Sequence, residues 1–370
     1  MKILTAILAA VMAVSSLTFT AHAVPDENIS AECAIVINAD TGGVLYEKNA
    51  YRQRAMASTT KIMTALITLE SGDLDRPFTV DGMAIKVEGT SMGLREGDTV
   101  TRRALCYGML LPSGNDAANA AAVNIAGSLS AFAELMNKRA ARIGMNDTHF
   151  VNPSGLDAEG HYTTARDMAL LTREALKNEE FRSICKMRTA QVEFGAPPQK
   201  RTLYNSNKML RLYDGCIGVK TGFTDNARRC LVSAAERGGC TVIAVTLNAP
   251  DDWNDHKKLL DRGFSEIKPV DVRINSFAAE VVGGSSDTVT IVPGRAVTLG
   301  LTDEESRTVS VRYNTPGFVY AEIEKGDTLG YADIYLGELF LEKIPLVAAE
   351  SVARVKPELT LWKRITHFFS

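Results

Sequence analysis

Three short clusters carry side chains that could carry out covalent chemistry together. In "ASTTKIMTAL", residues 57–66, Ser58 stands one helical turn before Lys61. That spacing puts both side chains on one helix face. A serine hydroxyl is a poor nucleophile at neutral pH and needs a base beside it. A lysine can be that base when burial disfavours its charged form. Around Lys61 the chain offers Ile62, Met63, Leu66 and Ile67, and no carboxylate three or four residues away on either side. The bland reading makes Ser58 an N-cap and lets Lys61 reach out to water. Ser-x-x-Lys should also arise about once by chance in a chain of this length.

Two further clusters change that weighting. "LLPSGNDAANA" carries Ser113, Gly114 and Asn115 where a helical run meets a turn. "GVKTGFT" carries Lys220, Thr221 and Gly222 in a strand. Taken alone, the first is an ordinary turn and the second a strand with one solvated lysine. The second also echoes a phosphate loop, but no Gly-x-x-x-x-Gly-Lys-Ser/Thr frame fits, so a nucleotide site is excluded.

Ser-x-x-Lys, Ser-x-Asn and Lys-Thr-Gly in this order resemble the D-alanyl-D-alanine carboxypeptidases, low-molecular-mass penicillin-binding proteins of the peptidase S11 type. "MLLPSGNDAANA", "FVNPSGLD" at 150–157, "HYTTARDMALL" at 161–171 and "VKTGFT" look like the same family. The resemblance covers nearly all of the chain after the leader. It implies an acyl-enzyme on Ser58, formed at the bond between two terminal D-alanines of a peptidoglycan stem peptide. Lys61 is then the base, and Ser113 relays a proton toward the leaving amine. Asn115 holds the peptide backbone or Lys61, while Lys220 and Thr221 face the substrate carboxylate. Gly222 allows close approach, and the backbone N–H groups of Ser58 and Phe223 form an oxyanion hole. β-Lactams are implied as inhibitors that acylate the same serine. The partner that Lys61 lacks on its own helix is expected from Ser113, Asn115 or Lys220. One departure is "ARR" at 227–229, where the family usually shows a small Ala-Gly pair. An arginine there could bind the substrate carboxylate, but the polar turn favours solvent.

The elements that position these residues can be read from periodicity. "CAIVINADTGGVLYEKN" reads as two strands about a tight turn. Helical patterns follow at 58–70, 102–111, 115–127, 128–144 and 164–178. Strands return in "GCIGVKTGFT", "RRCLVSAAER" and "CTVIAVTLNAP", spaced as an antiparallel meander, and "DWNDHKKLLDRGFSEI" closes the unit as a helix. From about residue 268, short alternating apolar runs between turn residues are all-β in pattern. The expected fold class is α/β (α+β), and the resemblance implies a serine β-lactamase/DD-peptidase-like domain at 24–268, its antiparallel sheet flanked by helices. A small all-β domain is expected at 269–352.

Composition adds bounds. The chain has 370 residues, 45% hydrophobic and 23% charged, with net charge −3, so nothing suggests a nucleic-acid partner. An apolar run after "MK", ending in Ala21-x-Ala23, reads as a signal peptide at 1–23 and implies export to the outer face of the cytoplasmic membrane. The tail at 353–370 places Leu361, Trp362, Ile365, Phe368 and Phe369 on one helical face, with Lys363, Arg364, Thr366 and His367 opposite. That pattern suits a helix lying on a membrane surface, or one packed back on the domain. The six cysteines sit mostly in apolar runs and read as mainly free thiols. Histidine spacing suggests no metal site, and no cofactor is expected. Rival readings are a secreted β-lactamase, a DD-endopeptidase and a catalytically idle wall-binding protein. The β-rich appendage and tail speak against the first, and the intact motifs against the last.

Overall fold

The computed structural model describes residues 28–355. The expected signal peptide at 1–23, and all but the first three residues of the expected anchor at 353–370, lie outside them.

Strands β1 (Cys33–Asn38), β2 (Val44–Lys48), β7 (Cys216–Thr224), β8 (Arg228–Arg237) and β9 (Cys240–Leu247) form one antiparallel sheet in the order β2-β1-β9-β8-β7. Its central strands are apolar at nearly every position because both faces are covered. Side chains alternate between the two sides, as the strand period of two requires. Ile35, Ile37, Val232 and Val245 enter the main core, while Val36, Leu231, Val242 and Ala244 enter a second core. Helix α8 (Asp252–Glu266) closes that second core with Leu259 and Leu260.

On the other face lie the helices α1 (Lys61–Glu70), α2 (Arg102–Leu110), α3 (Asn115–Ala126), α4 (Leu129–Ile143), α5 (Ala165–Ala175) and α6 (Glu179–Cys185). Helix α1 is buried from Lys61 to Leu69, as its all-round apolar sequence requires of a central helix. Local chemistry sets several boundaries. The hydroxyls of Thr101, Ser128 and Thr164 and the amide of Asn178 cap helix N-termini, and left-handed Gly127 and Gly144 end two helices. A small sheet of β3 (Phe78–Thr79), β4 (Thr99–Val100), β5 (Thr189–Gly195) and β6 (Pro198–Tyr204), in that order, and the short helix α7 (Met209–Leu212) complete this part.

The helix expected to begin at residue 58 begins instead at Lys61. Residues Ala57–Thr60 form a 3-10 turn. The Thr59 and Thr60 hydroxyls donate to the carbonyls of Met56 and Ala57 at 2.6 and 2.8 Å, tightening this turn. Ser58 still lies one turn from Lys61.

The C-terminal part is all-β. Strands β10 (Lys268–Asp271) and β13 (Thr298–Leu301) pair with each other. β11 (Phe277–Val282), β12 (Thr288–Pro293), β14 (Val309–Asn314), β15 (Phe318–Tyr320), β16 (Thr328–Leu336) and β17 (Leu339–Ala348) form a second sheet in the order β14-β16-β17-β12-β11-β15. Its core holds Val289, Ile291, Ile334, Ile344 and Leu346. A paired polar contact joins the two parts: the Asn38 amide donates to Gly300 O at 2.7 Å, and Gly300 N–H donates to the Asp40 carboxylate at 2.7 Å. All six cysteines are free thiols.

Candidate active site

The site forms where the turn before α1, the α2–α3 junction and edge strand β7 converge. Lys61 is 0% exposed, and its Nζ has three neighbours: Ser58 Oγ at 2.9 Å, Asn115 Oδ1 at 2.6 Å and the carbonyl of Ser154 at 2.6 Å. The identity of these neighbours constrains the protons. A neutral amine has two N–H bonds and one lone pair, whereas an amide oxygen and a carbonyl can only accept. In that neutral form Asn115 and Ser154 take both protons, and the lone pair is left for the Ser58 hydroxyl. The Asn115 amide is oriented independently, because its Nδ2 donates to Glu88 O at 2.7 Å.

Electrostatics agree with that protonation. Burial holds the Lys61 amine well below the usual lysine range, and the nearby Lys220 charge pushes the same way against a smaller opposing pull from Asp116. Lys220 is itself 1% exposed, and burial lowers it to about 7. It donates to Thr221 O at 2.8 Å and is not bonded to Lys61. Ser113 is likewise not bonded to Lys61 among the described residues. It sits at the α2–α3 junction with a left-handed φ of 68°, held by Thr90, whose hydroxyl donates to Ser113 O at 2.6 Å. Of the three partners expected for Lys61, the structure thus supplies Asn115 and replaces the others with a backbone carbonyl.

Strand β7 passes close to Ser58. A methyl added at Gly222 would lie 3.2 Å from Ser58 N and 3.1 Å from the Ala57 side chain. Thr221 Oγ1 is 3.1 Å from Ser206 Oγ. Phe223, next along the strand, is 60% exposed and pairs with Arg229 of β8. Of the two arginines in the turn, Arg228 faces solvent and Arg229 is held by the Asp252 carboxylate at 2.7 and 3.1 Å. Neither guanidinium bonds to a residue of the site among the described residues. No cluster of potential metal ligands occurs among the described residues.

Comparison with known proteins meets this geometry directly. Residues 18–251 match the peptidase S11 family, described as D-alanyl-D-alanine carboxypeptidase. The chain belongs to that family. Residues 275–354 match the penicillin-binding protein 5 C-terminal domain. The D-alanyl-D-alanine carboxypeptidase DacF of Bacillus subtilis is 34% identical over 343 residues, which cover 89% of this chain and 86% of the relative. DacA of Escherichia coli is 30% identical, covering 88% of this chain and 84% of the relative. Among solved structures, the carboxypeptidase DacD of Francisella tularensis superposes with a TM-score of 0.61 at 28% identity, covering 89% of this chain and 95% of that one. The Streptomyces K15 DD-transpeptidase does so at 0.62 and 34% identity, covering 65% of this chain and all of the other.

Within this S11 peptidase several site residues carry no signature that a sequence reading could use. Ser154 acts through its backbone, which no side-chain motif reveals. Asp116, one residue after Asn115, accepts the N–H groups of Met92, Gly93 and Leu94 at 2.9 to 3.0 Å and the Ser91 hydroxyl at 2.5 Å. It thereby ties the 88–94 loop to the start of α3. Asp157 accepts from Thr224 Oγ1 at 2.8 Å, joining the Ser154 loop to the end of β7. Both lie within motifs that were legible, but only as polar residues of unspecified role.

Proposed function

We propose that this S11 enzyme removes the terminal D-alanine from peptidoglycan stem peptides through an acyl-enzyme on Ser58. One observation carries the reading: Lys61 is a buried amine with its Nζ 2.9 Å from Ser58 Oγ and 2.6 Å from both Asn115 Oδ1 and the Ser154 carbonyl, so that in its neutral form both protons go to those two acceptors and the lone pair faces Ser58. Ser58 Oγ attacks the carbonyl between the two D-alanines while its proton passes to Lys61 Nζ. The carbonyl oxygen, negative in the tetrahedral intermediate, lies between the N–H groups of Ser58 and Phe223. The C–N bond then breaks, and Ser113 relays the proton from Lys61 to the departing D-alanine amine. Water adds to the ester, the Oγ–C bond breaks and Ser58 is restored. Asn115 holds the base in place. Lys220 and Thr221 attract the terminal carboxylate, and Gly222 leaves room for it at the strand. Penicillins acylate the same serine and leave slowly.

The same proposal sets the domains at 24–268 and 269–352, with a leader at 1–23 and a membrane-surface tail at 353–370, of which Arg354 and Val355 still pair with Gly284 and Gly283 of the β domain. The start of β10 at Lys268 supports the boundary. Among the described residues no helix is long and apolar enough to cross a membrane; the attachment proposed is through the amphipathic tail.

Incubation with a diacetyl-Lys-D-Ala-D-Ala peptide tests the activity through free D-alanine. Labelled penicillin tests the nucleophile through added mass on the Ser58 peptide. Release of D-alanine with a stable Ser58 adduct is expected. Rapid penicillin turnover without D-alanine release would instead indicate a β-lactamase, and an unmodified Ser58 would remove the mechanism.

A further inference from the structure

His161 is buried at the base of the nucleophile turn, and the proposed catalytic steps do not use it. Its imidazole lies in a directed chain of hydrogen bonds. The backbone N–H of Val151 donates to Nδ1 at 2.9 Å, so that nitrogen is the acceptor and the ring proton sits on Nε2. Nε2 is 2.9 Å from Thr60 Oγ1, and the Thr60 hydroxyl donates onward to Ala57 O at 2.8 Å. The chain therefore runs in one direction, from Val151 through His161 and Thr60 to the carbonyl just before Ser58.

That carbonyl belongs to a strained residue. Ala57 has a φ of 47°, in the left-handed region that costs an L-residue roughly 1–2 kcal/mol. Such a conformation persists only where its surroundings over-determine it. The Thr60 hydroxyl is one clamp on Ala57, and its only free direction is set by what donates to its oxygen. The ring packs edge-on to Phe150 at 6.0 Å between centroids, which fixes its plane. Burial keeps the imidazole neutral, at about 4, with His149 pushing the same way and Asp157 opposing. A neutral ring is what the tautomer needs, since a second proton on Nδ1 would leave Val151 N–H without an acceptor.

We propose that His161 is a positioning residue for the nucleophile, acting through the Thr60 hydroxyl on the Ala57 carbonyl to hold Ser58 in its attacking geometry. The inference rests on Ser58 being the acylated residue. The alternative is that His161 only anchors the 150–155 loop through Val151.

Two variants separate these roles, because each keeps one half of the imidazole's bonding. In His161→Gln the side-chain amide reaches the Nε2 position and still donates to Thr60, while the acceptor for Val151 is lost. In His161→Asn the amide oxygen sits near the Nδ1 position and still accepts from Val151, while Thr60 loses its donor. The experiment measures acylation of the full chain by a fluorescent penicillin, with the limiting rate and the half-saturating concentration read separately and thermal melting as the fold control. The expected result is a limiting rate lowered roughly tenfold or more in His161→Asn at a nearly unchanged half-saturating concentration, with His161→Gln close to wild type. Thr60→Val, which leaves the Val151 contact alone, falls by a similar factor, and the Thr60→Val/His161→Asn double variant is no slower than either single one. The reverse order, with Gln slow and Asn normal, assigns His161 to loop anchoring and overturns the proposal. So does a normal rate in Thr60→Val, which decides the matter even where a His161 variant fails to fold. A wild-type chain that penicillin does not acylate removes the Ser58 reading itself, a result distinct from any of these.

Discussion

Gly155 packs against Ala57 so closely that an added methyl would lie 2.0 Å from the Ala57 carbonyl oxygen. No real side chain tolerates that distance, and Gly155 also has a left-handed φ of 86°. The residue after Ser154, whose carbonyl accepts from Lys61 Nζ at 2.6 Å, therefore touches the residue before Ser58, the proposed nucleophile. Gly155→Ala is expected to push the two apart and slow penicillin acylation by about 100-fold, the usual consequence of a misplacement near 1 Å. The strain of alanine at positive φ adds roughly 1–2 kcal/mol of destabilisation. Acylation rates and thermal melts check both effects, and a fast, stable variant would show that the contact relaxes without moving Ser58.

Lys61→Arg tests the base. A guanidinium stays protonated at any working pH and presents no lone pair to Ser58. Acylation is expected to fall by about 10²–10⁴-fold, the range for loss of a general base, while melting remains cooperative. An arginine variant with near-normal acylation would require another base.

The pH profile follows from the two lysines having opposite requirements. Lys61 must be neutral, so kcat/KM for the D-alanyl peptide rises with pH as its proton leaves. Lys220 must be charged to attract a carboxylate, so the profile falls as it deprotonates near about 7. Lys220→Arg keeps its charge, and its alkaline limb is expected to disappear even if its maximum is lower. Persistence of that limb would assign it to another group.

Lys220 also costs stability. Its ammonium is buried with one hydrogen bond among the described residues, to Thr221 O. Lys220→Met is expected to lose activity yet gain about 1–3 kcal/mol at pH 6, since an under-satisfied buried charge is removed. The native pKa of about 7 is depressed below that of an unfolded lysine. Between the two values the unfolded chain binds more protons, so wild-type stability rises with pH and the advantage of methionine shrinks. Denaturant titrations at pH 6 and pH 9 measure this difference.

Removal of residues 356–370 tests the tail as the membrane anchor. Arg354 still bridges Gly284, and Val355 N–H donates to Gly283 O, so deletion of 356–370 leaves those contacts in place. The shortened protein is expected to leave anionic vesicles in a flotation assay while keeping its soluble peptidase activity. Continued flotation would refute the tail as the anchor.

Much of the architecture was open to a reader of the sequence because local periodicity and burial coincide there. The meander of β7, β8 and β9 is legible because both faces of β8 and β9 are covered, leaving near-continuous apolar runs. The central helix is legible because it is apolar all round. The hairpin of β5 and β6 is less so: Ala190, Val192 and Phe194 of β5 alternate with Thr189, Gln191 and Glu193, but β6 is exposed at all but Arg201 and Leu203 and two prolines interrupt the run. The 3-10 turn at Ser58 was also hidden, since it depends on two threonine hydroxyls bonding back to carbonyls that a helix pattern leaves unmarked.

The sequence by itself determined which reactive groups the protein owns and their order: Ser58 with Lys61, Ser113 with Asn115, and Lys220 with Thr221 and Gly222. Only the tertiary structure decided how they share protons. It gave Lys61 a carbonyl from residue 154 in place of Ser113 or Lys220, and left Lys220 as a nearby cation that lowers the proposed base without a hydrogen bond to it. The reason is physical. The protonation of a buried amine depends on which atoms within about 3 Å can only accept and which can donate. A backbone oxygen 93 residues away along the chain leaves no mark on the side-chain pattern from which motifs are read.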